Sequence, residues 1–136
     1  MARLREAHAA VGGDVVSAGG TGTWHLHHAA PGRVTEVQAG SYALLDTQYA
    51  TLGGPWQQAC FVIGTVVSVG RSHAVIDVGL KAMGMDHGNP DLPGWNVFFC
   101  SDEHTTFLAD ATGDSEGRAL PAVGARLGVL PAHVDP

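Results

Sequence analysis

The 136-residue sequence has a single lysine, two cysteines and few charges of either sign, and each shortage removes a class of function. Lysine and arginine total 7 against 13 acidic residues, for a net charge of −6 with histidine neutral. The basic residues, from Arg3 and Arg5 to Arg118 and Arg126, are scattered and form no stripe that could release counterions from a phosphate backbone, so nucleic acid is excluded as a partner. No window approaches the roughly 18 consecutive apolar residues of a membrane span, and MARLREAHAAVGG lacks the apolar stretch of a signal peptide. No membrane association is expected, and the cytoplasm is the default location. Cys60 and Cys100 are too few and too far apart for a disulfide framework or a zinc knuckle, and are expected as buried free thiols.

Glycine, by contrast, is abundant, with 19 residues, as befits many turns between short strands. The length suits one hydrophobic core. Residues 2–11, ARLREAHAAV, have the apolar spacing of a short amphipathic helix that Gly12-Gly13 would end. DVVS then reads as a short buried strand running into Ser17-Ala18-Gly19-Gly20-Thr21-Gly22-Thr23. Such a turn lets an anion approach the backbone and meet N–H and hydroxyl groups. An ordinary strand-ending loop has the same composition, and on these residues alone it is the simpler reading. One α/β unit cannot cover both faces of a parallel strand, so this opening stretch is expected to belong to something larger.

After Pro31-Gly32 the pattern changes to short β-rich runs. Strands are expected over 36–38, 41–46, 60–69, 73–78, 95–101, 104–109 and 125–130, with a hairpin turn at Gly70-Arg71-Ser72. That series predicts an antiparallel barrel or sandwich. The long segments 47–58 and 81–94 are expected to line a site or an interface. Both ends are expected to be truncated: LGVLPAHVDP passes from a strand into a loop with no closing element, and the first helix has no partner.

His133 and Asp135, in PAHVDP, have the i, i+2 spacing that puts two side chains on one side of an extended backbone, a combination suited to a divalent metal. Two ligands alone do not make a site, and a polar loop after a strand is the simpler reading of the residues. The histidines of WHLHH (His25, His27, His28) are expected as surface or site-lining groups. His104 beside Glu103 suggests an acid–base pair, although neighbours on a strand point in opposite directions. Lys81 sits in a post-strand loop that shows no pocket to lower its pKa, so a loop-pinning role is expected of it rather than a Schiff base.

Five motifs in order give these signals weight: SAGGTGT at 17–23, VTEVQAGSY at 34–42, DVGLKA at 77–82, SDEH at 101–104 and PAHVD at 131–135. Together they resemble the C-terminal portion of the D-threonine aldolase and D-serine dehydratase-like family, metal-activated pyridoxal-phosphate enzymes of the alanine-racemase fold type. In such enzymes an N-terminal β/α barrel carries the cofactor lysine and a C-terminal β domain completes the site.

The resemblance implies two segments: residues 1–32 as the last helix-strand piece of the β/α barrel with its phosphate loop, and 33–136 as the mainly β domain, truncated at its C-terminus. It implies that Gly19, Gly20, Thr21 and Tyr42 bind pyridoxal 5'-phosphate, that His133 and Asp135 hold Mn or Zn, and that His104 lies near the reacting groups. Ala18 stands where the pattern commonly has a glycine. The implied Schiff-base lysine is not in this chain, Lys81 belonging to the β-domain motif, so the chain alone is expected to be inactive. The implied reaction is retro-aldol cleavage of a D-3-hydroxy amino acid to glycine and an aldehyde, or alternatively dehydratase-type deamination to a 2-oxo acid, by a homodimer when intact. A stand-alone metal-binding β module is the rival from outside enzymology.

Overall fold

The computed structural model describes residues 2–28, 34–109 and 119–134. The chain forms two compact units, Met1–Tyr42 and Ala43–Pro136.

In the first unit, α1 spans Ala2–Val11 and stops where the sequence predicts, with Gly12 and Gly13 at φ 77° and 113° and the Gly12 N–H donating to the His8 carbonyl at 2.7 Å. None of its residues is buried. The expected strand at DVVS reduces to one parallel bridge, Ser17 to Glu36. The expected strand over 36–38 shrinks to the same bridge. The reason is local: the Thr35 hydroxyl takes the Val16 N–H at 2.8 Å, and Thr35 N–H and Glu36 N–H both donate to the Val16 carbonyl, so no regular ladder can propagate. Residues 41–46 are not a strand either. Ser41–Ala43 form a 3₁₀ turn, and Leu45, in the second unit, is held in the left-handed region at φ 54° with its side chain buried. Asp46 then caps a short helix, α3 (Thr47–Ala50), accepting the Tyr49 N–H at 2.7 Å. The remaining helix, α2 (Trp24–His28), follows the glycine turn in the first unit.

The second unit is a five-stranded antiparallel sheet, as the alternation predicts, built from β1 (Val62–Val69), β2 (His73–Ile76), β3 (Trp95–Cys100), β4 (Thr105–Ala109) and β5 (Arg126–Val129) in the order β3-β4-β2-β1-β5. The β1–β2 hairpin closes at Gly70–Ser72, with the Gly70 N–H on the His73 carbonyl. Val66, Ala74, Ile76 and Phe107 are at most 1% exposed and form the centre of the core, where Trp95 meets Phe107 edge-on at 5.3 Å. A register shift between Val97 and Phe99 turns Phe98 outward to 69% exposure. Cys60 and Cys100 are free as expected, but only partly buried. No helix among the described residues is long and apolar enough to cross a membrane.

After β2 the chain passes so close to the β3–β4 turn that Gly79 has no substitute. A Cβ there would lie 2.3 Å from the Ser101 carbonyl oxygen and 2.6 Å from the His104 nitrogen, both backbone atoms that cannot move aside. Phe107→Ala is expected to cost about 3–5 kcal/mol of stability, and Phe98→Ala no more than about 0.5 kcal/mol. Urea denaturation of the two variants checks the contrast, and equal losses would contradict this placement of the core.

Candidate functional site

Two segments distant in sequence meet at His133. The strand β5 leads into Leu130, Pro131 and Ala132, all buried, so the backbone before His133 is anchored in the core. Across from it runs the loop that begins at buried Met83 and returns at buried Leu92. Asp91 and Leu130 exchange N–H···O bonds at 2.9 and 2.8 Å, and Gly84 pairs antiparallel with His133. Between those two pairings the loop turns at Met85–Gly88 and presents Asp86 and His87.

His133 Nδ1 lies 2.9 and 2.8 Å from the two oxygens of Asp86. A carboxylate only accepts, so the imidazole donates. The His87 ring packs on the His133 ring with centroids 4.4 Å apart, and His87 Nε2 is 3.6 Å from the Asp86 carboxylate. One donor atom from each of Asp86, His87 and His133 falls within a sphere of mutual distances under 4.8 Å. His133 keeps only 16% of its side chain exposed, against 55% for Asp86. Beside it opens a cleft of about 230 Å³, walled by Val62, Met83, Gly84, Pro131 and Val134. Imidazole nitrogens at an open cleft suit a first-row divalent cation such as Zn or Mn. Asp135, the partner expected for His133, lies outside the described residues.

The hydrogen bond from His133 holds the Asp86 carboxyl below the ordinary aspartate range, helped by the nearby His133 and His87 charges and outweighing the opposing effect of burial. The sequence does not point to Asp86 or His87 as neighbours of His133, because 47 residues separate Asp86 from His133. The adjacent Asp-His pair in a glycine-rich loop was the available signal.

The first unit gathers the residues expected to bind a phosphate. Gly19 is left-handed at φ 83°, and a Cβ on it would lie 2.3 Å from the His27 ring. Gly20 is extended, its N–H donates to the Thr23 hydroxyl at 3.1 Å, and a Cβ there would meet nothing nearer than 3.8 Å. Thr21 is buried, with its hydroxyl oxygen accepting the Tyr42 N–H at 3.1 Å, which brings Tyr42 to the loop. Nδ1 of His27 is buried without a hydrogen-bond partner among the described residues. A left-handed glycine turn with a buried, unpartnered ring nitrogen beside it has the kind of groups that suit the phosphate end of pyridoxal phosphate. WHLHH is helical, so His25 and His27 do not share the face that an extended segment would give them.

Glu103 and His104 do not pair. Glu103 accepts from Lys81 Nζ at 2.6 Å on the surface, and His104 is exposed in the β3–β4 turn, its carbonyl taking the Ser101 N–H and hydroxyl. Leu80 and Lys81 also donate backbone N–H groups to Ser101 and Asp102, so the lysine does pin a loop, as expected.

Residues 59–136 match the protein family described as "Putative serine dehydratase domain". Among curated proteins, the chain is 34% identical over 136 residues to a 3-hydroxy-D-aspartate aldolase of Paracoccus denitrificans and 36% identical over 131 residues to a D-threonine aldolase of an Arthrobacter species, each match covering 90% of this chain and 33% of the relative. The chain therefore spans about a third of the length of these relatives. Among solved structures, a D-threonine aldolase from Filomicrobium marinum aligns with TM-score 0.75 and 33% identity over 94% of this chain and 35% of the other. A D-threo-3-hydroxyaspartate dehydratase from Delftia sp. HT23 aligns with TM-score 0.65 and 27% identity over 94% and 40%.

The depressed Asp86 pKa has a definite sign. Its carboxylate contributes stability that is present above the unfolded aspartate value and lost as pH falls through the folded value. The stability difference between wild type and Asp86→Asn is therefore expected at neutral pH and should vanish in strong acid. By NMR titration, the Asp86 midpoint should rise in His133→Ala, and an unmoved midpoint would show that the His133 hydrogen bond is not its cause.

Proposed function

The chain belongs to the family described as "Putative serine dehydratase domain", and from that membership we propose that it carries the metal-binding and phosphate-binding residues of a lyase acting on D-3-hydroxy amino acids, with D-threonine aldolase chemistry. The observation that carries this reading is His133, held by Asp86 at the edge of a cleft, in a chain that is 36% identical to a D-threonine aldolase across the segment they share. Asp135 in the His-x-Asp pair, where the family also has His-x-Cys, favours the aldolase over the dehydratase outcome.

In this reading His133 and Asp135 hold Mn or Zn, and Gly19, Gly20 and Thr21 seat the phosphate of pyridoxal 5'-phosphate, with Tyr42 beside them. When bound, the cofactor supplies an electron sink at the amino-bearing carbon and the cation a Lewis acid for the β-hydroxyl. The chain's own residues do the positioning. Loop backbone N–H groups would donate to the phosphate oxygens, and the apolar cleft walls limit water around His133. His104 is the candidate acid–base group, exposed in its turn. Assembly as a homodimer and a cytoplasmic setting belong to the same proposal.

The similarity to a D-threo-3-hydroxyaspartate dehydratase supports a second reading, elimination of the β-hydroxyl to a 2-oxo acid. A chimera in which these residues replace the matching third of the Arthrobacter D-threonine aldolase separates the two. It is expected to release glycine and acetaldehyde from D-threonine, with at least tenfold loss on chelation and again on His133→Ala. Ammonia and pyruvate from D-serine as the main products would assign the dehydratase. Activity indifferent to chelator would remove the metal role. The 136-residue chain itself is expected to bind one Mn or Zn per chain without cleaving D-threonine, since its single lysine, Lys81, belongs to the β-domain motif and is not the family's Schiff-base lysine.

A further inference from the structure

We infer that Asp86 is a positioning residue for the metal site, fixing His133 in the Nδ1–H tautomer and so presenting its Nε2 lone pair to the cation. This rests on the metal role proposed for His133 and adds to it a residue that the His-x-Asp motif does not contain.

The geometry leaves little choice of role. The two Asp86 oxygens sit almost equally far from one ring nitrogen, at 2.8 and 2.9 Å, so Nδ1 faces the middle of the carboxylate and shares its proton between both oxygens. A nitrogen that donates a proton has no lone pair left for a metal, which leaves Nε2, on the far side of the ring, as the ligand atom. Carboxylates paired this way orient the ring and raise the basicity of the other nitrogen. Rotation of His133 is opposed on one side by Asp86 and on its face by the His87 ring at 4.4 Å. The backbone supplies the alignment: Gly84 pairs with His133, and the turn from Met85 to Gly88 carries Asp86 back over the imidazole. Asp86 itself is mostly exposed, so it can be altered without opening the core.

Two readouts on the full 136-residue chain test the inference. Ring ¹⁵N shifts of neutral His133, recorded without metal, are expected to show the Nδ1–H tautomer in wild type, a shift toward Nε2–H in Asp86→Asn, and partial restoration in Asp86→Glu. Calorimetric titration with Zn²⁺ and with Mn²⁺ is expected to show affinity falling by about 10- to 100-fold in Asp86→Asn at unchanged stoichiometry. An Nε2–H tautomer in wild type, or an Asp86→Asn chain that keeps both the wild-type tautomer and the wild-type affinity, would overturn it. Loss of stoichiometric binding in Asp86→Asn would also overturn it, because that would make Asp86 a ligand. Failure of the underlying metal role is read from a different variant: His133→Ala would then titrate like wild type.

Discussion

The backbone pairing between the loop leaving Met83 and the segment after β5 is the interaction on which the second unit's chemistry depends. Asp91 and Leu130 exchange two hydrogen bonds, and Gly84 lies opposite His133. Each such bond contributes only about 0.5–1.5 kcal/mol net. Their effect on geometry is larger, because Leu92, Leu130 and Ala132 are buried on either side and hold both segments to the core. An otherwise irregular loop thereby gains a defined register, and Asp86 meets the imidazole that the strand end provides.

A second constraint acts at the other end of the same loop. Gly79 passes the β3–β4 turn at a distance no side chain tolerates, and Leu80 and Lys81 bond to the carbonyls of that turn. The Lys81–Glu103 ion pair is exposed on both sides and contributes little stability, so the backbone contacts carry the junction. Buried Thr105 completes it, its hydroxyl donating to the Val78 carbonyl at 2.6 Å. The loop bearing Asp86 is thus tied to the sheet before and after its turn.

The first unit works by different means. It has one isolated bridge in place of a ladder, and its order near the glycine turn comes from hydroxyls: Thr35 on Val16, Thr23 on Gly20 and Thr21 on Tyr42. These contacts fix the turn without a ladder, the Thr23 hydroxyl taking the Gly20 N–H.

The five sheet strands were legible because alternating apolar residues between glycine and aspartate turns report a half-buried pleat without knowledge of the partner strand. The strands expected at 14–17, 36–38 and 41–46 were not, since whether a β-branched run becomes a ladder depends on what competes for its N–H groups, here the Thr35 hydroxyl, and on a reversal at Leu45. His133 could be picked out as a candidate ligand only through the family resemblance that PAHVD helps to carry. Asp86 could not, because a hydrogen bond across 47 residues exists only once two loops have been brought into register. By itself the sequence determined the antiparallel β class and the position of the glycine turn, which are local chemistry, and through its motif order a family resemblance that made His133 a metal-ligand candidate. Only the tertiary structure decided which carboxylate orients that histidine and which residue the lysine engages, because both follow from backbone pairings between segments far apart in the chain.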